Sequence, residues 1–211
     1  MEADYPVYAV RSRMLLPLVL GCTAPCPCAT IPTETAITTE ADLEALLAAT
    51  RDAAWPELAG YTLAVEPYTD LAYFRALVST DTLGVEDPAG RTYLVQYDPV
   101  VLDDPPGTGA LAAVLTHELG HVYDYVGMTS TELLEFGLWY ATEDPMTSDE
   151  LRAYERATDE SALTRGCADG LSAMRTWIYA HASEEVEAEK RRNYYSPEEI
   201  EAWVAANGEC G

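Results

Sequence analysis

The sequence predicts an α+β fold in which a small, mostly antiparallel sheet packs on one long helix and a helical C-terminal part follows. Three short runs rich in Tyr, Val, Leu and Thr, separated by Pro, Asp and Gly, are typical of strands. Residues 110–124 carry apolar side chains at helical spacing. Beyond residue 128, Ser or Thr is repeatedly followed three positions later by Glu, which is a pattern that begins helices.

The N-terminal half of the predicted domain contains one helix and the three strands. The helix covers residues 39–53, and Thr39 is its expected N-cap. The strands are expected at residues 61–66, 72–79 and 91–97. We expect the third strand at the edge of the sheet, where an extended peptide can add as a further strand.

The C-terminal half is predicted to be helical. Capping boxes are expected at residues 129–132, 147–150 and 196–199. The helices that follow are expected from residue 129, over 148–165, over 168–187, and from 196 to 206.

Length and charge limit the kinds of partner. A chain of 211 residues can bury a core as one domain, which we place at residues 38–211. Lys and Arg number 12 against 36 Asp and Glu, so the formal net charge is −24. Such a surface repels phosphate groups, which argues against nucleic acid and against direct binding to anionic lipid.

Residues 1–28 are predicted to be a targeting segment, and residues 29–37 an extended tether. Arg11 and Arg13 precede a short apolar run at residues 14–20, and Gly21 and Cys22 follow. The segment resembles a bacterial lipoprotein signal, in which the cysteine is lipidated. The resemblance implies export to the cell envelope and a lipid anchor at Cys22. A soluble secreted or periplasmic protein is the alternative, and a disordered cytosolic N-terminus also remains open.

The cysteines predict at most one bridge within the domain. Cys167 and Cys210 are expected to form a disulfide that ties the C-terminal tail to a helix end, provided that the compartment is oxidising. Two unrelated free thiols are the alternative.

The long helix carries the pattern H-E-x-x-H at residues 117–121. Two histidines four positions apart on a helix point the same way, so His117 and His121 can bind one Zn²⁺ ion. The carboxylate of Glu118 points aside from this pair and is placed to act as a base in hydrolysis. A buried helix with hydrogen-bonded histidines is the alternative interpretation.

Two histidines do not complete a catalytic zinc site, so a third ligand is required. Glu155 and Asp159 lie four positions apart on a predicted helix and share a face. We predict that Glu155 binds the metal and that Asp159 accepts a hydrogen bond from His117. Glu160 is the competing ligand.

These two motifs together resemble those of the gluzincin clan of zinc metallopeptidases, in which H-E-x-x-H is followed by E-x-x-x-D on a second helix. The small, single-domain minigluzincins are the most similar in length. The resemblance implies a zincin-like fold, with a small sheet over the active-site helix, and a zinc metalloendopeptidase that acts on peptide or protein substrates. It also implies a His or Tyr that steadies the tetrahedral intermediate.

Three residues are candidates for that steadying role: His181, Tyr194 and Tyr195. We assign it to His181, which falls on an apolar helical stripe that faces the interior or the cleft. Asp124 lies one turn after His121 and is expected either to accept a hydrogen bond from it or to be an ordinary carboxylate at the helix end.

Two other functions remain open at this point. One is a zinc-binding lipoprotein without catalytic turnover. The other is a zinc amidohydrolase that acts on cell-wall peptides. The sequence specifies neither the substrate side chains nor the oligomeric state.

Overall fold

The structure is a computed structural model that describes residues 25–69 and 72–210, and it has the α+β composition that the sequence predicts. The strands of this part are β1 (Thr62–Pro67), β2 (Phe74–Val78) and β3 (Thr92–Tyr97). Its helices are α1 (Glu40–Ala54), the short α2 (Val100–Asp103), α3 (Thr108–Val126), α4 (Ser130–Thr142), α5 (Asp149–Leu163), α6 (Ala168–His181), α7 (Glu184–Asn193) and α8 (Pro197–Asn207). Cys22 and its signal-like context lie outside the described residues, so lipidation remains a prediction.

The predicted helix starts agree with the structure at most positions. Complete capping boxes begin α1 at Thr39, α4 at Thr129 and α8 at Ser196. The box expected at residues 147–150 is wrong by one position, because Ser148 is the N-cap and accepts a hydrogen bond from the Leu151 N–H. The single helix predicted over residues 168–187 is two helices, since Ser183 caps a new one.

The sheet is mixed and its strand order is β1-β3-β2. β1 runs parallel to β3, whereas β2 runs antiparallel to it, so the prediction of a mostly antiparallel sheet is wrong for one of the two strand pairs. The prediction that residues 91–97 form the edge strand is therefore wrong: β3 is central, and β2 is an edge. The side chains of β3 are buried at four of its six positions, as expected for a strand with neighbours on both sides.

The long helix α3 is the centre of the fold. It is buried along most of its length and packs against α1, α5, α6 and β2. Gly120 allows the close approach of α5, because a Cβ at this position would lie 3.0 Å from Cγ2 of Thr158. This contact is one turn away from Glu155 on α5, so the glycine within the H-E-x-x-H motif helps to set where Glu155 lies.

Two disulfides join the N-terminal segment to the C-terminal half, and neither is the predicted bridge. Cys26 pairs with Cys210, and Cys28 pairs with Cys167. The predicted pairing of Cys167 with Cys210 is wrong because each of them meets a cysteine of the N-terminal segment. Sequence spacing carries no information about that long-range contact.

The segment predicted as a free tether at residues 29–37 packs against the domain instead. Ile31 and Ile37 are buried in the core, and the Cys28 N–H donates to the Arg165 carbonyl at 3.0 Å. The apolar side chains of this segment are therefore part of the folded unit. No helix in residues 25–69 or 72–210 has the length and apolar character needed to cross a bilayer.

Candidate metal centre

Helices α3 and α5 bring together His117, His121 and Glu155. The two Nε2 atoms of the histidines are 3.1 Å apart. Oε2 of Glu155 lies 3.4 Å from Nε2 of His117 and 3.4 Å from Nε2 of His121. All three side chains are buried, and their three atoms form a nearly equilateral triangle that could hold a metal ion.

The dimensions of this triangle fit a tetrahedral metal. Ligands at the ~2.0–2.1 Å typical of zinc lie about 3.3–3.4 Å from one another in a tetrahedron. Oε2 of Glu155 is buried and has no hydrogen-bond partner among the described residues. A buried carboxylate oxygen without a partner is unfavourable, and a cation at the centre of the triangle would satisfy it.

The other polar atom of each candidate ligand is held by a hydrogen bond. Nδ1 of His117 is 2.8 Å from Oδ1 of Asp159, as the sequence predicts, and the hydroxyl of Tyr140 donates to Oε1 of Glu155 at 2.6 Å. Since a carboxylate only accepts, Nδ1 of His117 carries the proton and its Nε2 can present a lone pair. Such contacts fix the orientation of metal ligands.

Of the two alternatives for Asp124, the structure agrees with an ordinary carboxylate near the helix end, because His121 contacts Tyr154 instead. Nδ1 of His121 lies 2.9 Å from the hydroxyl of Tyr154, and no described contact joins its ring to the carboxylate of Asp124. Burial raises the pKa of Asp124, and the nearby His121 opposes this effect. Tyr154 takes the position because it precedes Glu155 on α5 and so lies against α3, whereas Asp124 lies near the end of α3.

The buried carboxylate of Asp159 connects the candidate ligand His117 to Arg175 and Tyr195. Its Oδ1 also accepts from Nη2 of Arg175 at 2.8 Å, and its Oδ2 accepts from the N–H of Tyr195 at 2.9 Å. Burial works against the charged carboxylate, but Arg175, His117 and the Tyr195 N–H outweigh it and hold the pKa of Asp159 below its ordinary value. Asp159 is therefore a carboxylate at neutral pH.

The carboxylates around His117 favour a positive charge at this position. Burial alone would lower its pKa, but the hydrogen bond to Asp159 and the carboxylate of Glu155, 3.4 Å from Nε2, raise the pKa of His117 to about 9. Without a metal, the cation that the site favours is a proton. A metal that binds through Nε2 must displace that proton.

Glu118 is buried beside the triangle without belonging to it. It is 5% exposed, and its Oε2 has no hydrogen-bond partner in the part of the chain that the structure describes. Burial raises the pKa of Glu118, while His117 and His121 oppose the shift. A carboxylate with a raised pKa and an oxygen without a hydrogen-bond partner is suited to accept and return a proton.

Tyr194, and not His181, lies at the centre. The Tyr194 ring centroid is 5.7 Å from that of His117, and Tyr194 borders the cleft together with Glu118. Burial, followed by the charge of Glu155, raises the pKa of Tyr194 well above its ordinary value, so its hydroxyl stays protonated and can donate.

The assignment of His181 to the site is wrong. At the end of α6, its ring stacks on Trp177, and its Nε2 lies 2.9 Å from Oδ2 of Asp104. Both contacts hold the ring of His181 at the surface and not in the cleft. The apolar stripe of α6 is buried up to Ile178, but His181, at the end of the helix, is exposed. No described hydrogen bond or ion pair links His181 to the three candidate ligands.

Two other sequence candidates, Glu160 and Tyr195, contact each other and not the three ligand atoms. Glu160 is exposed and accepts from the Tyr195 hydroxyl at 2.7 Å, so Glu155 is the carboxylate that meets the histidines. Three further residues of the site were not predicted from the sequence: Tyr140, Tyr154 and Arg175. Only Arg175 had a usable signal: a charged residue within the apolar stripe of α6 indicates a buried partner.

A cleft of about 410 Å³ opens beside the centre, between β2, α3 and α4. Along β2, the Tyr73 carbonyl accepts from the Asp98 N–H, and the Ser79 N–H donates to the Thr92 carbonyl. In an antiparallel pair these bonds alternate, so the N–H and C=O groups of residues 74, 76 and 78 point away from β3. This outer edge faces the cleft, because the Tyr125 hydroxyl donates to the Ala76 carbonyl at 3.3 Å.

Comparison with known proteins identifies no relative of this chain. No protein-family model, no curated protein and no solved structure matches it.

Proposed function

We propose that this protein is a zinc-dependent metallopeptidase, similar in its chemistry to the gluzincins. The observation that carries the proposal is the triangle of His117, His121 and Glu155 with an unpartnered buried carboxylate, that of Glu118, directly beside it. A purely structural zinc site is closed by four protein ligands and has no use for an adjacent base. Three ligands and a base leave an open position that faces a cleft.

When bound, the zinc ion would supply Lewis acidity toward the substrate carbonyl and toward the attacking water. Glu118 accepts the proton of that water and returns it to the leaving amine. Its burial favours both steps, since a raised pKa narrows the free-energy difference between the ionised and the protonated form at neutral pH.

Tyr194 is the group that we assign to steady the developing negative charge on the carbonyl oxygen. Its hydroxyl remains a donor because its pKa is raised, and Arg175 and Lys190 lie over its ring at 4.5 and 4.9 Å from the centroid. Both cations add positive potential to a wall of the cleft in a chain that is otherwise strongly acidic.

The substrate in this proposal is a peptide in extended conformation that adds to the outer edge of β2. The N–H and C=O groups of residues 74, 76 and 78 are directed to that side, and no other strand of the described chain pairs there. Backbone pairing of this kind supplies affinity without a sequence requirement and aligns the peptide along the cleft.

Two disulfides support a location in an oxidising compartment, because such bonds are rare in the cytosol of most organisms. We therefore propose an exported protein. The lipid anchor at Cys22 belongs to this proposal and is tested by mass spectrometry of the mature N-terminus, where an acylated cysteine is expected.

The function is tested with the variant Glu118→Gln. It should bind one zinc ion per chain and lose peptide hydrolysis by at least about a hundredfold, because general-base catalysis contributes about 10²–10⁴. Glu155→Gln should lose zinc itself. Glu160→Gln is the matched control, an isosteric change one residue off the ligand face of the same helix, and should keep both zinc and activity.

The other functions give different results in the same experiment. A wild-type protein that binds zinc and cleaves no peptide bond would contradict the proposal and indicate a binding role. Release of amino acids or stem peptides from cell-wall fragments, without cleavage of ordinary peptides, would indicate an amidohydrolase. Full activity of Glu118→Gln would show that the base is assigned to the wrong residue.

A further inference from the structure

Gly137 leaves open space in the middle of α4. A Cβ built at this position would meet no atom of the described chain within 4 Å. Glycine in a helix interior is less stable than alanine, so the helix itself gains nothing from it. Gly137 lies on the same face as Leu133 and Tyr140, four residues before and three residues after it, and this face is directed to the cleft.

The space beside Gly137 is the apolar part of the cleft. Phe74 and Val78 of β2 form one wall, and Leu133 and Phe136 of α4 form the opposite one. His121 and Glu118 border the same cavity, so the apolar region and the proposed reaction centre are continuous. A cavity of about 410 Å³ has room for more than the reacting atoms of a peptide.

We propose that Gly137 determines specificity: it keeps this apolar pocket open for one large apolar side chain, aromatic or branched aliphatic, of the extended peptide on β2. The inference rests on the proposed peptidase function and names its substrate class. Substitution of Gly137 by a larger residue would fill the pocket from the side of α4.

The geometry of strand pairing indicates which peptide side chain occupies the apolar pocket. Side chains of a strand added to β2 alternate between two faces, and those next to Phe74, Ala76 or Val78 share the face of these residues. Because Phe74 and Val78 form the pocket wall, a side chain of the added strand on that face enters the pocket. Its immediate neighbours in the peptide point to the opposite face, so we expect apolar preferences at alternate positions at most, with the strongest at the side chain nearest to Gly137.

The test uses the full-length, zinc-loaded protein and a set of blocked hexapeptides in which a single Phe moves through an Ala, Gly and Ser background. We expect kcat/KM for the best Phe peptide to exceed that for the all-small peptide by at least about tenfold, the lower range for an apolar pocket. In Gly137→Leu this ratio should fall to near one, and in Gly137→Ala it should fall less.

Thr131→Leu is the matched control, because it adds the same side chain to the outer, exposed face of α4. It should leave the ratio of the two kcat/KM values unchanged. Circular dichroism and zinc content establish that each variant is folded. If Gly137→Leu does not fold, the smaller fall in Gly137→Ala decides the question, since alanine is compatible with the helix.

Binding of the same peptides to the Glu118→Gln protein, measured by fluorescence polarisation, separates this inference from the proposed function. Hydrolysis without a Phe preference, or with a preference that Gly137→Leu leaves intact, overturns the pocket and not the peptidase. Selective binding of a Phe peptide that Gly137→Leu abolishes, without any hydrolysis by the wild type, supports the pocket and overturns the peptidase. Neither binding nor hydrolysis overturns both.

Discussion

Asp159→Asn is the substitution that best tests how the centre is built. The carboxylate is fully buried and has two separate tasks: it holds the imidazole of His117 and it neutralises the guanidinium of Arg175. Asparagine has the same shape and can still accept the hydrogen bond from Nδ1 of His117 through its Oδ1, but it carries no charge, and its Nδ2 takes the place of the oxygen that accepts from the Tyr195 N–H, so that bond is lost. The variant therefore changes electrostatics with little change in packing.

The expected magnitudes differ for the two tasks. Arg175 is 3% exposed, so loss of its carboxylate partner should cost the metal-free protein about 3–5 kcal/mol of unfolding free energy. The weaker hydrogen bond to His117 should reduce zinc affinity by about 10–100-fold. Urea unfolding after chelator treatment measures the first quantity, and competition with a zinc-binding dye measures the second.

The double variant Asp159→Asn/Arg175→Met separates the two effects. Methionine fills part of the volume of Arg175 without its charge, so stability should recover by about 2 kcal/mol or more relative to Asp159→Asn. Zinc affinity should stay low, because the contact to His117 is still altered. Full recovery of zinc affinity in the double variant would refute this reasoning and show that Asp159 acts on the metal only through the placement of Arg175.

Three further predictions concern the same centre. Gly120→Ala should weaken zinc binding by about tenfold, because the added Cβ would lie 3.0 Å from Cγ2 of Thr158 and displace α5. A second substitution, Thr158→Ser, removes that methyl group and should restore the zinc affinity, measured by dye competition. Zinc binding at about pH 7.5 should release at least one proton, detected by calorimetry in buffers of different ionisation enthalpy, because the pKa of His117 is raised to about 9. The same shift makes the metal-free fold lose stability as the pH rises from about 6.5 to 9. A zinc affinity that does not change over this pH range would contradict the raised pKa of His117. Tyr194→Phe should lower kcat at least about tenfold with little change in zinc content, and an equal effect of Tyr195→Phe would argue against the assignment.

The local part of the site could be predicted from sequence because it depends on helix periodicity. Two histidines four positions apart must share a face of α3, and Glu155 and Asp159 must share a face of α5. Periodicity does not predict that these two faces meet, but the resemblance to the gluzincin motifs does. The structure brings them together, with Asp159 at 2.8 Å from His117 and Glu155 at 3.4 Å from both histidines.

The remainder depends on contacts between distant segments, which periodicity does not encode. The order of strands in the sheet is one example, since β3 follows β2 in the chain yet lies between β1 and β2. The disulfides are another, since their cysteines have sequence separations of 184 and 139. Tyr194 belongs to the same group: it enters the centre through the turn between α7 and α8, and the sequence offered it only as one of three candidates.

Charge balance explains why a divalent ion suits this interior better than a proton. Three buried carboxylates, those of Glu118, Glu155 and Asp159, lie around the two histidines, and the buried cation paired with this group is Arg175. Lys190 also lies nearby but is paired with Glu189. One proton on His117 therefore leaves the set with a net charge of −1, whereas one divalent ion neutralises it with the histidines uncharged. A buried cluster with net charge is costly, so the metal-free protein must either take up further protons or lose stability. The raised pKa values of both His117 and Glu118 are the first of these responses, and a metal that binds the triangle reverses it.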